Sequence, residues 1–171
     1  MFAGPAGRLC VIVTLAGSSF APLSAQRAGA EGRNQFALRV GGNVLRTAGQ
    51  FEFLAGVRAG WYRLGRASPE AGLSVFPRYL DEQVILMPEA GLAYPRRLGG
   101  SVALFRIGLS PYLAFPEEGA SISFAAYAGA GLVVPLGGLG VRIDTGPMLL
   151  GGANFAWALG IGLTSVPAPW R

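Results

Sequence analysis

The sequence predicts an all-β protein, an eight-stranded antiparallel up-and-down transmembrane β-barrel, and three observations predict it. Segments with a two-residue period recur eight times between Gln35 and Leu163. The face opposite each bulky apolar stripe is mostly Gly, Ala and Ser with about one charge, which suits a crowded interior better than water. Aromatic residues gather at both ends of the apolar stripes.

The first segment, Gln35 to Leu45, sets Phe36, Leu38, Val40 and Val44 against Arg39, Gly41 and Asn43. The second, Phe51 to Tyr62, sets Phe51, Phe53, Ala55, Val57, Ala59 and Trp61 against Glu52, Leu54, Gly56, Arg58, Gly60 and Tyr62. In the third, Glu70 to Tyr79, an apolar face ending in Tyr79 opposes Glu70, Gly72, Ser74, Phe76 and Arg78. The fourth, Val84 to Tyr94, opposes Val84, Leu86, Leu92 and Tyr94 to Glu89 and Gly91. The fifth, Val102 to Phe115, opposes Phe105, Ile107, Leu109 and Phe115 to Arg106, Gly108, Ser110 and Tyr112. The sixth, Ser121 to Leu132, opposes Ile122 and Phe124 to Ser123, Tyr127 and Gly129. The seventh, Leu139 to Thr145, opposes Leu139, Val141 and Ile143 to Arg142 and Asp144, and the eighth, Phe155 to Leu163, opposes Phe155, Trp157, Leu159 and Ile161 to Ala156, Gly160 and Gly162.

Every charge in these segments lies opposite the bulky stripe, and agreement across eight segments is stronger than any one of them. The connections between them are rich in Gly, Pro, Asn, Asp and Ser and too short for a crossover helix, so neighbours should pair antiparallel. Facing inward, Arg39, Arg58, Arg78, Arg106 and Arg142 nearly balance Glu52, Glu70, Glu89 and Asp144, a candidate charge network for a narrow lumen. Facing outward, Phe36, Trp61 and Tyr94 mark one end and Phe51, Tyr79, Phe115 and Phe155 the other, as two aromatic girdles at membrane interfaces would. Connections at the first end carry Arg63, Arg66, Arg96 and Arg97; those at the second carry Asp81, Glu82, Glu117 and Glu118, with Arg46 the exception.

Composition agrees. Of 171 residues, 51% are hydrophobic and only 13% charged, well short of a soluble surface. All 14 basic residues are arginine, scattered singly except Arg96-Arg97, so no nucleic-acid footprint is present. Residues 1–25 read as a secretory signal, with Arg8 before an apolar run from Leu9 to Ala16 that is too short to span a bilayer. Residues 26–34 read as a linker and 35–171 as the barrel domain. The single cysteine, Cys10, is expected to leave with the signal.

Two other architectures share part of the pattern. A soluble β-sandwich also has one apolar face per strand. Residues 119–141 and 145–170 are long and uncharged enough for Gly-rich membrane helices, although six glycines and Pro135 interrupt the first, and five glycines and three prolines the second.

From about Asn34 to Trp170 the chain resembles the small eight-stranded outer-membrane barrels of Gram-negative bacteria, the OmpA transmembrane-domain and OmpX-like group. The resemblance rests on the signal, the strand number, the outward aromatics and the lumen charges. It departs at the end, where such barrels finish on an aromatic residue and this chain places Trp170 before Arg171 and among Pro167 and Pro169. The resemblance implies an outer-membrane location and a periplasmic N-terminus. The partners it implies are the lipid bilayer with its lipopolysaccharide and the outer-membrane assembly machinery, and a monomer is expected.

No catalyst is visible. There is no histidine, and the barrel enzymes of this size that work on lipid A, phospholipids or peptides use one as a base. Neither a metal nor a cofactor is expected. The carboxylates Glu52 and Glu89 read as structural lumen charges, and Glu117-Glu118 and Asp81-Glu82 as solvated loop acids. The reading is a non-enzymatic envelope protein with a structural or interaction role. The alternative is a narrow transport or ligand-binding barrel using the space left by small residues of the sixth and eighth segments.

Overall fold

The computed structural model describes residues 34–47, 50–79, 83–115, 119, 121–151, 154–167 and 170, without the side chains of residues 47, 77–79 and 83. The expected signal and nearly all of the linker lie outside these residues, as do Asp81, Glu82, Glu117 and Glu118 and the side chains of Arg78 and Tyr79.

Eight strands follow in chain order: β1 (Gln35–Thr47), β2 (Gln50–Tyr62), β3 (Ser68–Tyr79), β4 (Gln83–Leu98), β5 (Ser101–Ala114), β6 (Ser121–Leu136), β7 (Leu139–Leu150) and β8 (Asn154–Ser165). Each pairs antiparallel with the next, and β8 pairs with β1, so the sheet closes without an edge. The helical alternative is therefore wrong: the two uncharged stretches form β6, β7 and β8. Glycine at every few positions removes helix propensity while the two-residue period keeps one face apolar.

One circuit of the paired strands returns to β1 about ten residues further along, the stagger that tilts the strands and sets the width of a closed barrel. At eight strands that width is one the side chains themselves can fill.

Three strands run further than the sequence pattern suggests. β4 continues through Leu98 and β6 through Leu136, so the turns at their ends shrink to Gly99-Gly100 and Gly137-Gly138. Gly99 (φ +59°) and Gly137 (φ +74°) supply the left-handed backbone a two-residue hairpin needs. Residues Gly146 to Leu150, expected in a connection, extend β7 and pair with Asn154 to Ala158 of β8. Outward Pro147 and inward Met148 preserve the alternation there, so pairing continues through what looked like a turn.

The barrel has two ends. At the termini end lie the β2–β3, β4–β5 and β6–β7 turns with both chain termini of the barrel. There Ser68 Oγ accepts from Arg63 N (2.9 Å) and donates to the Arg66 carbonyl (3.0 Å), and Gly65 N donates to the Pro95 carbonyl (2.8 Å). The opposite rim, where the β1–β2, β3–β4, β5–β6 and β7–β8 connections lie, is the loop end.

Candidate functional site in the barrel lumen

The lumen is stacked in three layers. Its middle is a charged belt contributed by six strands: Arg39 from β1, Arg58 from β2, Glu70 from β3, Glu89 from β4, Arg106 from β5, and Arg142 with Asp144 from β7. All seven are buried.

Register explains how they meet. Arg39 and Arg58 are direct cross-strand partners, a like-charge pair that is destabilising unless something lies between them. Asp144 takes that place, 3.3 Å from Arg39 and 3.8 Å from Arg58, and it also lies 3.6 Å from Arg106 and 2.9 Å from Arg142. One carboxylate thus touches four guanidiniums. Glu70 is the second hub, accepting from Arg106 Nε at 2.6 Å, from Arg142 Nη2 at 3.0 Å and from the Tyr62 hydroxyl. Arg142 Nη1 donates to the same hydroxyl at 3.1 Å.

Glu89 accepts from Arg58 and, at 2.6 Å, from Ser74 Oγ. Between Arg58 and Glu89 in the sheet lies Gly72, paired to both. A Cβ there would sit 2.9 Å from the Val57 carbonyl and 3.4 Å from Arg58, so glycine lets the arginine cross to its partner. Arg39 Nη2 completes the belt, donating to Asn43 Oδ1 at 3.3 Å.

The layers on either side are apolar. Toward the loop end, Leu45, Leu54, Phe76, Ile85, Met87 and Met148 pack together with Ala114, Ala125 and Ala156. Toward the termini end, Tyr62, Ala93, Val102, Leu104 and Val133 pack with Val166 and Trp170. The chain beyond β8 reaches this last layer by turning back across the opening. Val166 N donates to the Gly138 carbonyl at 3.0 Å, and the Trp170 ring lies 5.1 Å from that of Tyr62.

Of the sequence-predicted lumen charges, then, Arg39, Arg58, Glu70, Glu89, Arg106, Arg142 and Asp144 come together. Glu52 does not join them. It stands opposite Leu45, level with the loop-side apolar layer, half-buried and without an ion pair among the described residues. Of the two carboxylates read as structural lumen charges, Glu89 is in the belt and Glu52 lies beside Leu45 outside it.

The interior is more apolar than an inward face of mostly Gly, Ala and Ser with about one charge per strand suggests, since two of its three layers are hydrocarbon. Leu54, Phe76, Ile85 and Met87 stand on the very face that carries the charges. Their clustering toward one end was the available signal. Tyr62, Ser74 and Asn43, which hydrogen-bond the belt, and Trp170, which closes the termini end, had no charge or repeat to announce them.

On the outside, Phe36, Trp61 and Tyr94 are exposed toward the termini end, and Phe51, Phe115 and Phe155 toward the loop end. Phe36 and Trp61, cross-strand partners, meet edge to face at 5.4 Å. Phe105, opposite Tyr94, extends the first ring, while Phe53, Phe124 and Trp157 extend the second. Between the rings the wall is Val, Leu and Ile. Arg46 faces outward beside Phe51, its guanidinium 5.9 Å from the ring centre.

Comparison with known proteins agrees with this geometry. No family model matches the chain, and no curated protein matches it. Among solved structures it is similar to Neisserial surface protein A, at 11% identity and a TM-score of 0.61 over 76% of this chain and 96% of that one. It is also similar to the N-terminal β-barrel domain of Pseudomonas aeruginosa OprF, at 14% identity and a TM-score of 0.52, covering 78% and 98%. At such identities the likeness is one of fold, and the fold is that of small eight-stranded outer-membrane barrels.

Proposed function

We propose that this chain is a non-enzymatic barrel of the outer membrane of a Gram-negative cell, with a structural or interaction role in the envelope. Its termini end faces the periplasm and its loop end the lipopolysaccharide leaflet. The observation that carries the reading is the stack inside the lumen: a belt of mutually paired charges held between two apolar layers. Bulk water and solutes have no continuous polar path through such a stack. The wall that faces lipid, and the rims, are then the surfaces left for interaction.

The absence of histidine and the engagement of all three belt carboxylates with arginine support a non-catalytic role. The two aromatic rings framing a Val, Leu and Ile band support a bilayer-spanning position. The rival, a narrow transport barrel, needs an open lumen. Purified protein inserted into planar lipid bilayers is expected to give no steady conductance. Reproducible channels whose size depends on the solute would overturn the closed-barrel reading in favour of transport.

A further inference from the structure

The belt does not fill its layer. Between it and the loop-side apolar layer lies a cavity of about 50 Å³, bounded on the belt side by Arg58, Arg106, Tyr127, Glu89, Asp144 and Asn43 and on the other by Leu45, Leu54, Met87 and Met148. A water molecule needs roughly 10–15 Å³ measured in this way, so the space admits a few atoms and no sugar or nucleotide. Gly129 and Gly160 of β6 and β8 line it, and a Cβ on Gly160 would overlap Asn43 Oδ1 at 2.0 Å, so glycine there lets the Asn43 side chain lie against the wall.

We propose that this cavity binds one small monovalent anion, chloride in ordinary media, between Arg58, Arg106 and Tyr127. Three independent features lead there. The first is charge: among the described residues of the belt, four guanidiniums meet three carboxylates, and an uncompensated charge sealed between hydrocarbon layers is costly.

The second is hydrogen bonding. Arg58 Nε and Nη1, Arg106 Nη2 and the Tyr127 hydroxyl are buried and have no hydrogen-bond acceptor among the described residues. The three guanidinium nitrogens can only donate, so the group that satisfies them is an acceptor, to which the Tyr127 hydroxyl can donate as well. The carboxylates in the wall are already engaged: Glu89 by Arg58 and Ser74, Asp144 by its four arginines. They are therefore not the missing acceptors; the cavity wall itself holds two guanidiniums and two carboxylates, and the excess positive charge belongs to the belt as a whole.

The third is how the hydroxyl is brought in. Gly91 and Gly108 lie beneath Tyr127, and a Cβ on either would stand 2.6 or 2.4 Å from its oxygen. These glycines let the ring lie flat, with the Arg106 guanidinium 5.1 Å from its centre. Water could occupy the same donors, but it would leave the positive charge in place.

The test is refolding and urea unfolding of the barrel in micelles at constant ionic strength, with chloride exchanged for gluconate, an anion too large for the cavity. The expected result is an apparent unfolding constant that falls about tenfold for each tenfold rise in chloride above its dissociation constant. Crystals grown in bromide should show an anomalous peak among Arg58, Arg106 and Tyr127. Asn43→Asp adds a fourth carboxylate beside Arg39, which already donates to Asn43, and should abolish the chloride dependence. Equal stability of the native chain in chloride and gluconate would overturn the proposal, whatever the variant does. So would a bromide crystal in which the cavity holds water only.

Discussion

The charged belt and the apolar layer above it fill the same tube, one with guanidinium and carboxylate, the other with Leu, Ile, Phe and Met. Neither is required to close the sheet, because the backbone ladder from β1 round to β8 does that alone. They differ in what holds them. In the belt each residue is fixed by named partners, and Asp144 and Glu70 are shared among several arginines, so removing one group strands others. In the layer, cohesion is volume and contact, shared among side chains that can shift. The lesson is that one narrow barrel can hold a brittle section and a compliant one within a few residues of each other.

The most damaging change should therefore be in the belt. Arg142 donates to Asp144 from Nε at 2.9 Å, to Glu70 at 3.0 Å and to Tyr62 at 3.1 Å. Arg142→Leu keeps bulk but leaves two carboxylates short of a partner in a buried site. A loss of about 3–5 kcal/mol is expected, read as a lower urea midpoint for unfolding from lipid vesicles. A loss below about 1 kcal/mol would erase the contrast between the two layers.

A substitution pair in the layer sharpens the same contrast from the other side. Met87 is 2% exposed, packed among Leu45, Leu54 and Ile85. Met87→Ala should cost about 2–3 kcal/mol through lost contact and a residual cavity. Met87→Leu, which conserves volume, should stay within about 1.5 kcal/mol. If the leucine variant is as damaged as the alanine one, the layer is held by shape as strictly as the belt is by charge.

The two regions were also unequally legible in the sequence. A charge on an alternating strand announces its face, so Arg39, Arg58, Arg106 and Arg142 could be assigned to the interior from parity alone, and the strand count and pairing followed from the same period. Leu54 or Met87 taken singly looks like noise on the inward face, and only the clustering of such residues toward one end of the strands signals an apolar layer. Nor could parity say which charges meet. That depends on the stagger of eight strands, which carries Glu52 up beside Leu45 while drawing Arg39, Arg58 and Asp144 together. Trp170 was visible only as an aromatic among prolines. Its return to Tyr62 is a tertiary contact that no local rule encodes.

A polar contact on the lipid face gives the smallest expected effect and isolates what burial adds in the belt. Trp157 Nε1 donates to Thr145 Oγ1 at 2.9 Å, between exposed residues of β8 and β7 near the loop-end aromatic ring. Thr145→Val keeps the shape and removes both the acceptor and the hydroxyl's own donation to the Ala158 carbonyl at 3.2 Å. The indole sits close enough to the membrane interface to find water or a headgroup instead, whereas Arg142 in the sealed lumen has no such exchange. A cost of about 0.5–1 kcal/mol is expected in the same vesicle unfolding experiment. A cost near that of Arg142→Leu would mean that the outer wall at this height is as dry as the lumen, and that sealing alone does not make the belt brittle.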